Sequence, residues 1–344
     1  MIEFGLYSFA EIDPTSDKAI TGKQRIDQLL EEIKLADQLG LDIYAVGEHH
    51  RPDYIASAPT VILGAAAVQT KNIHLSTAVT VLSSDDPVRV YQQFATIDLL
   101  SNGRAEIMAG RGSFIESFPL FGFDLEKYDA LFSEKLDLLI KLNQSEKVSW
   151  KGKLRPSFHD LGIYPRPVQS MIPIWIAAGG TPASAMRAGA LGLPLALAII
   201  GGRSDQFADF IELYRHSWQK RDGGTDKPKV GINMHAFIAK DSQQAADLYY
   251  PSYHQTMSRI GRERGWGPTT RAQFEAQRSL AGALLVGSPQ QIIDKIMYIY
   301  HVFKMDRFLL QMSVGPMHHK DIMQSIELYG NDIIPSVRKM IGSD

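Results

Sequence analysis

The 344-residue chain contains no cysteine, and this absence removes several kinds of chemistry. Disulfides, thiolate nucleophiles, iron–sulfur clusters and zinc sites built on sulfur all require cysteine. A redox function would therefore depend on a bound cofactor.

An excess of charge of either sign is also lacking. The chain has 36 basic and 38 acidic residues, dispersed along its length, and a formal net charge of −2. Proteins that bind nucleic acids usually carry a basic patch, so we expect no nucleic-acid partner. No apolar run reaches the ~18 residues that cross a bilayer, and Glu3 stands where a signal peptide has basic residues. We expect a cytoplasmic protein that makes no membrane contact.

The first predicted strand is not followed by a glycine-rich turn. Residues 10–15, which come after Phe9, contain no glycine, whereas a dinucleotide-binding domain has its phosphate-binding glycines at this point. This absence argues against an open, doubly wound sheet that binds a nicotinamide cofactor.

Short apolar runs alternate with longer segments of helical period, which is the pattern of β/α units around a parallel sheet. Eight strands are predicted: Glu3 to Phe9, Asp42 to Val46, Ile73 to Val79, Arg104 to Ala109, Ile174 to Ala177, Leu195 to Ile199, Val230 to Ala239 and Arg307 to Met312. Eight is the number of a (β/α)8 TIM barrel, so we predict one such domain over residues 1–344.

Two stretches interrupt the alternation of strands and helices. Residues 147–173 contain Trp150 and four prolines and predict a hairpin and loop inserted before the fifth strand. Residues 262–287 are rich in Gly, Arg and Gln without a clear period and predict a mobile excursion after the seventh strand. Loops of this length in a compact domain often act as lids or binding loops.

Active sites of TIM barrels lie at the carboxyl ends of the strands. The second strand is followed by Glu48, His49 and His50, three ionisable residues in a row. Neighbouring residues of an extended chain point to opposite sides, so His49 and His50 are poorly placed to ligate one ion, and we expect no metal site. Either a catalytic role or a solvated polar strand end in which one histidine pairs with a carboxylate would fit this pattern.

Two other strand ends carry features of an anion site. Arg111 lies between two glycines after the fourth strand, and the arginine fork suits a phosphate or carboxylate. The fifth strand leads into Gly179, Gly180 and Thr181, with Ser184 in the helix that begins at Pro182. The free N–H groups at this helix start also favour an anion.

Together these motifs resemble the bacterial luciferase-like family of flavin-dependent monooxygenases. The resemblance runs from Phe4 to about Gly202 and resumes at residues 287–289. The segments that carry it are Glu48-His49-His50, Thr77-Ala78-Val79, Asp86-Pro87-Val88-Arg89, Leu99-Leu100-Ser101-Asn102-Gly103-Arg104, Gly110-Arg111-Gly112 and Phe121-Gly122.

The resemblance implies that reduced FMN binds at the barrel mouth and that O2 adds to it to give a peroxyflavin, which oxidises a small organic substrate. The isoalloxazine would lie against Ala78 and Val79, which resemble the family's non-proline cis peptide. Arg111, Thr181, Ser184 and the backbone of Gly179 and Gly180 would hold the phosphate. A flavin reductase would supply the reduced cofactor.

The resemblance also assigns catalytic roles. His49 would act as a general acid or base, because an unperturbed imidazole titrates near pH ~6.5. Glu48 would orient His49 or the flavin, and closure of residues 262–287 would exclude water. Two positions depart from the family: Asp129 stands where some relatives have a second arginine, and Gly110 stands where luciferases have a reactive thiol.

Other interpretations stay open at this point. A deazaflavin-dependent dehydrogenase on the same fold would transfer hydride without O2, a non-catalytic protein would bind oxidised flavin, and a metal-dependent hydrolase would need a metal. Asn233, His235 and Gln311 either shape a substrate pocket or are satisfied interior polar groups, and we favour the second. The apolar helices from Pro59 to Gln69 and from Pro87 to Leu100 suggest a homodimer.

Overall fold

Ten parallel strands form the main sheet, and nine of them follow one another around a nearly closed barrel. The fold was analysed on a computed structural model that describes residues 2–14, 20–221 and 226–342. The main-sheet strands are β1 (Glu3–Ser8), β2 (Ile43–Val46), β3 (His74–Thr77), β4 (Thr80–Val81), β5 (Ile107–Gly110), β8 (Ile174–Ala178), β9 (Leu195–Ile199), β10 (Val230–Ile238), β11 (Leu284–Gly287) and β12 (Arg307–Gln311). An antiparallel hairpin of β6 (Lys147–Trp150) and β7 (Phe158–Gly162) lies before β8, in the stretch where a hairpin is predicted.

Helices connect the strands and surround the barrel. They are α1 (Gly22–Gln38), α2 (Pro59–Ala67), α3 (Pro87–Ser101), α4 (Ser117–Phe121), α5 (Tyr128–Gln144), α6 (Pro182–Ala190), α7 (Ala208–Gln219), α8 (Ser242–Arg264), α9 (Arg271–Gln277), α10 (Pro289–Phe303), α11 (His319–Leu328) and α12 (Ile334–Ile341). Short 3-10 turns cover Leu82–Ser84, Leu125–Lys127 and Ser204–Phe207, and a π-turn covers Tyr329–Ile333. None of the helices in the described part of the chain combines the length and the apolar character needed to cross a membrane.

The predicted TIM barrel is confirmed, and each of the eight predicted strands overlaps a strand of the barrel. The third predicted strand, Ile73 to Val79, corresponds to β3, and β4 begins directly after it, beyond the cis peptide bond between Ala78 and Val79. The ring is completed where Leu75 N–H donates to the Arg104 carbonyl at 2.8 Å and Glu106 N–H donates to the Leu75 carbonyl at 2.9 Å. The barrel therefore has eight strands around its circumference, with β3 and β4 counted as one. The additional strand β11 pairs with residues 235–238 at the carboxyl end of β10.

Residues 262–287 differ from the predicted irregular excursion. The helix α8 continues to Arg264 and is followed by α9 and β11, which pairs with β10 in parallel. Phe274 of α9 is fully buried against Tyr249 and Tyr253 of α8. A short helix with a single buried residue has too few apolar positions to show a helical period, which explains why the sequence pattern failed here.

A buried ion-pair cluster closes the amino-terminal end of the barrel. Arg307 of β12 donates to both carboxylate oxygens of Glu106, at 2.9 and 3.1 Å, and to Glu3 at 2.7 Å. The Arg307 guanidinium also lies 4.0 Å from the centre of the Trp175 ring. Chemistry at this end is blocked by packing, so the open carboxyl end of the strands is where a ligand can enter.

Candidate active site

A cavity of about 200 Å³ lies at the carboxyl end of the barrel strands. Part of its lining is made of small side chains from neighbouring strands. These are Ala78 and Val79 between β3 and β4, Ala177 of β8, and Ala196 and Ala198 of β9. Small side chains leave a smooth wall that a flat ring can approach closely. The cis peptide thus lies in the wall of the cavity, as the family resemblance implies.

Glycine is required at two positions beside this wall. A Cβ atom at Gly110 would come within 2.6 Å of a Val79 methyl, and one at Gly47 would come within 2.1 Å of the Phe9 ring. Contacts that short do not occur for real side chains, so both positions exclude any other residue without movement of their neighbours. Gly110 therefore lets Val79 pack against β5, which offers a structural reason for the glycine in place of a thiol.

Aromatic side chains form another part of the cavity lining. Phe9 follows β1, Tyr54 follows β2, Phe114 follows β5 and Trp266 follows α8. Met257 and Ile260 of α8 complete this apolar side. A ligand in this cavity would be held mainly by apolar contacts, in surroundings that exclude water.

His49 is buried among three of these rings. Its imidazole lies 4.5 Å from Phe9, 4.5 Å from Tyr54 and 5.1 Å from Phe114, measured between ring centres. Burial, together with the positive charges of His50 and Arg51, lowers the pKa of His49 to about 3. The imidazole is therefore uncharged at neutral pH, and its Nε2 atom has no hydrogen-bond partner. This corrects the expectation of a titration near neutral pH, because that expectation took His49 to be solvated.

Glu48 does not orient His49. One carboxylate oxygen of Glu48 accepts from the backbone N–H of Val81 at 2.9 Å, and the other lies 2.9 Å from His50 Nε2. These contacts fix Glu48 to β4 and to His50 instead. Adjacent residues at the strand end point in different directions, so the three neighbours in sequence separate into a Glu48–His50 pair and an isolated His49.

The predicted anion-binding residues come together at the ends of β5 and β8. Arg111 Nη2 donates to Ser184 Oγ at 3.2 Å, while its Nη1 forms a short ion pair with Asp129. Thr181 is exposed at the N-cap of α6 and makes no side-chain cap bond, which leaves its hydroxyl available to a ligand. Gly180 has φ +103°, a conformation that turns the backbone between β8 and α6. Asp129 thus not only replaces an arginine but also neutralises Arg111.

Three polar side chains also line the cavity, although the sequence favours a satisfied interior position for them. Gln311, Asn233 and His235 are buried, and each has a polar atom without a hydrogen-bond partner, namely Oε1, Oδ1 and Nδ1. Burial lowers the pKa of His235 to about 4, so this imidazole is uncharged at neutral pH. The expectation that all three are satisfied was therefore wrong.

Glu11 also lines the cavity and was not recognised from the sequence. Its carboxylate accepts from Gln311 Nε2 at 2.6 Å and from Ser313 Oγ at 3.1 Å. Burial raises the pKa of Glu11 to about 7, against the opposing effect of the Arg25 charge and these hydrogen bonds. The sequence does contain a signal for it, since an acidic residue follows the first strand at the functional end of a barrel.

Ion pairs join the end of α8 to two loops at the barrel mouth. Asp53 pairs with Arg259 at 2.5 Å, and Arg51 pairs with Glu263 at 2.6 Å and with Glu116 at 2.8 Å. Arg264 donates to the Ser113 carbonyl at 3.0 Å. These contacts hold the end of α8 at the barrel mouth, beside the aromatic part of the cavity lining.

Comparison with known proteins gives a consistent family. The family model for luciferase-like monooxygenases matches residues 2–306. The luciferase-like monooxygenase of Escherichia coli K12 is 27% identical, over 95% of this chain and 96% of its own. The oxygenase component of the flavin-dependent trigonelline monooxygenase of Acinetobacter baylyi is 23% identical, over 95% of this chain and 94% of its own.

Solved structures show the same fold. The monooxygenase RslO1 from Streptomyces bottropensis superimposes with a TM-score of 0.84 at 23% identity, covering 97% of this chain and 99% of that one. The oxygenating constituent of 3,6-diketocamphane monooxygenase from Pseudomonas putida, solved in complex with FMN, gives 0.77 at 19% identity and covers 98% and 99%. An F420-dependent secondary alcohol dehydrogenase gives 0.76 at 18% identity and also covers 98% and 99%.

Proposed function

Because the chain belongs to the luciferase-like monooxygenase family, we propose that it is a monooxygenase that uses reduced FMN and O2 to oxidise a small organic substrate. The observation that carries this proposal is the cavity, which is lined by small residues and by aromatic rings, three of which also enclose the buried, uncharged His49. We also propose that the chain forms one catalytic domain. A relative named as an oxygenase component supports a separate flavin reductase as the source of reduced FMN.

The residues present fit FMN. The wall that contains Ala78, Val79 and Ala177 would take the isoalloxazine, and Arg111 with the Thr181 and Ser184 hydroxyls and the backbone of Gly179 and Gly180 would take the phosphate. The two groups adjoin, because Val79 packs against Gly110, the residue before Arg111, and Ala177 of β8 is followed closely by Gly179. When bound, reduced FMN supplies the electrons that activate O2.

The chain's own contribution is to bind, orient and exclude water. His49 Nε2, buried and without a partner, would form a hydrogen bond to the reacting group as an uncharged imidazole. Phe9, Tyr54 and Phe114 surround that atom and keep water away from it. The ion pairs of Arg51 and Asp53 hold α8 over the site while the reaction proceeds. Glu48 would act indirectly, by fixing β4 and His50.

Anaerobic titration with reduced FMN tests the proposed cofactor and its phosphate site. Loss of the guanidinium in Arg111→Ala is expected to weaken reduced FMN binding about 10- to 100-fold, since a charge-assisted hydrogen bond contributes about 1.5–3 kcal/mol. Asp129→Asn is expected to strengthen binding several-fold, because it removes the carboxylate that competes with phosphate for Arg111. Arg215→Ala, which breaks an arginine–carboxylate pair on α7, is the matched control and is expected to change nothing.

The same titration separates the alternatives. A reduced deazaflavin that binds more tightly than reduced FMN would contradict the proposal and favour a dehydrogenase, an activity that some structural neighbours are named for. Tight binding of oxidised FMN without substrate-dependent oxygen uptake would favour a flavin carrier. Saturable binding of reduced FMN that depends on Arg111 supports the monooxygenase and justifies a substrate screen by oxygen uptake.

We also propose that the protein is a homodimer that pairs through α2 and α3. Val61 of α2 is 72% exposed, Val68 directly after α2 is 66% exposed, and Leu99 and Leu100 of α3 are about half exposed, so this face presents apolar surface to solvent. Val61→Asp is expected to shift the protein in gel filtration from a dimer to a 38.3 kDa monomer. Met340→Asp on α12 is the control, and a wild-type monomer at micromolar concentration would contradict the proposal.

A further inference from the structure

The polar residues of the cavity come from three adjacent strands, β1, β12 and β10, and from the residues that follow β1. Tyr7 of β1 is in register with Gln311 of β12, and Gln311 is in register with His235 of β10. Asn233 lies two residues before His235 on β10, so that both side chains point to the same face, and Glu11 follows β1. We call these five residues the polar end of the cavity.

The polar end has hydrogen-bonding capacity that the protein does not use. Gln311 is 2% exposed, and its Nε2 donates to Glu11 at 2.6 Å and to the Ser313 carbonyl at 2.7 Å. These two acceptors fix the orientation of the amide, so the unpartnered atom of Gln311 is its oxygen. A buried acceptor without a partner costs free energy, and a ligand that supplies a donor would recover it.

Glu11 adds a second acceptor and lies between two spaces. It lines the cavity on one side, and on the other it lines a groove of about 530 Å³ between α8 and α11, together with Asp13, His318 and Asp321. Arg25 of α1, itself paired with Glu32 at 2.8 Å, is the cation that acts on Glu11. The phenols that act electrostatically with Glu11 have pKa values raised mainly by burial and stay neutral: Tyr7, Tyr44, Tyr54 and Tyr249.

Among the described residues, no cationic side chain lines the cavity at the polar end, and Arg25, which acts on Glu11 from α1, is already paired with Glu32. Of the described residues that line the cavity, only Arg264 is a cation, and its guanidinium is bound to the Ser113 carbonyl after β5. His235 is uncharged, because burial lowers its pKa to about 4. An anionic group brought to the polar end would therefore meet acceptor oxygens and the Glu11 carboxylate without compensation.

We propose that the polar end binds the hydrogen-bond-donating group of the substrate, accepts amide-like or cationic amidine-like groups against Glu11 and Gln311, and rejects carboxylates. This inference rests on the proposed function, since it names the substrate class of that same site. In the flavin-free protein the cavity of about 200 Å³ has room for one aromatic ring, because an apolar cavity of roughly 150 Å³ is enough to bind benzene. The ring of such a substrate would lie among Phe9, Tyr54 and Phe114.

Four single-ring probes that differ in one group test the inference. We would measure the affinities of benzamide, benzamidine, benzoate and toluene by calorimetry, with the flavin-free protein and with oxidised FMN present. At pH 8 benzamidine is expected to bind about tenfold more tightly than benzamide, because its hydrogen bond to Glu11 is charge-assisted. Toluene and benzoate are each expected to bind at least about fivefold more weakly than benzamide.

The pH dependence of benzamidine binding tests whether Glu11 is the acceptor. The pKa of Glu11 is raised to about 7, so the carboxylate is ionised above that pH and protonated below it. Benzamidine stays cationic over this range, so its affinity is expected to rise about tenfold between pH 6 and pH 8, while that of benzamide changes little.

Two variants separate this role from a structural one. Glu11→Gln keeps the shape and is expected to abolish both the pH dependence and the advantage of benzamidine, while benzamide still binds. Ser313→Ala removes a hydrogen bond that lowers the pKa of Glu11, so the midpoint is expected to move to higher pH. Asp321→Asn, which changes a carboxylate of the outer groove alone, is the control and is expected to leave the midpoint in place.

The outcomes are distinct from those of the FMN titration. Binding of benzoate as tight as that of benzamide, or a pH dependence of benzamidine binding that survives in Glu11→Gln, would overturn the inference even if reduced FMN binds as proposed. Preference for benzamide and benzamidine that depends on Glu11 would support the polar end, whether or not FMN proves to be the cofactor.

Discussion

Replacing Arg307 with leucine is expected to lower the free energy of unfolding by about 3–5 kcal/mol, because it leaves the Glu106 carboxylate buried without its partner. Both side chains are almost fully buried, at 3% and 5% exposure, and two hydrogen bonds join them. The change also removes the contact with Glu3 and the stacking on Trp175. Denaturant unfolding followed by circular dichroism measures the loss.

The double variant Arg307→Leu, Glu106→Leu is the informative comparison. Replacing both members of a buried pair by apolar residues is often close to neutral, so the double variant is expected to recover much of the stability that the single variant loses. Lys23→Met breaks an exposed pair on α1 and is expected to cost less than about 1 kcal/mol. A loss of that small size in Arg307→Leu would contradict the buried cluster.

The Arg307–Glu106 pair also determines the direction in which the stability of the fold changes with pH. Burial acts to raise the pKa of Glu106, but the Arg307 charge and the hydrogen bonds from His74 and Arg307 outweigh it and lower the pKa to about 2. A carboxyl whose pKa is lowered in the folded state stabilises the fold above its ordinary pKa of 4.5. This contribution is expected to disappear as the pH falls from about 4.5 to about 2, and to be smaller in Arg307→Leu.

The alternation of strands and helices was enough to predict the barrel, because each β/α unit leaves a local trace in the sequence. The position of Ala78 and Val79 beside a ligand was implied by the family resemblance instead, and both residues line the cavity. The alternation did not reveal β11, although Leu284, Leu285 and Val286 form an apolar run. That run is short, and the polar residues before it have no clear period, so the pattern of the whole segment indicates an irregular stretch.

Side-chain pairing could not be predicted from the order of residues. Glu48, His49 and His50 are neighbours in sequence, yet the carboxylate pairs with His50 and the ring of His49 turns into an aromatic pocket. The pKa of His49 is low mainly because this pocket buries the imidazole, and the rings of the pocket follow three different strands, β1, β2 and β5. Likewise, the ion pair between Arg111 and Asp129 depends on how α5 packs beside β5, which no local pattern reports.

Replacing His49 with phenylalanine is expected to slow substrate oxidation by about 100-fold or more, with the affinity for reduced FMN changed less than about threefold. Removal of one preorganised hydrogen-bond partner at a reacting group typically costs a factor of about 10²–10³. Phenylalanine suits the pocket because Phe9, Tyr54 and Phe114 surround a flat ring, so packing is kept while the Nε2 atom is lost. Substrate oxidised per reduced FMN consumed is the measurement.

The pH profile decides how His49 acts. With a pKa of about 3, His49 stays uncharged from pH 5 to pH 8, so wild type and His49→Phe are expected to show parallel profiles at different heights. His159→Phe, the same change at an exposed histidine of the β6–β7 hairpin, is expected to leave turnover unaltered.

A step in the turnover rate of the wild type near pH 6.5 that disappears in His49→Phe would show that His49 exchanges a proton during turnover, because only a solvated or charge-paired imidazole titrates there. A step near pH 7 that persists in His49→Phe and disappears in Glu11→Gln would instead assign the titrating group to the polar end of the cavity, since Glu11 is the group there whose pKa is about 7.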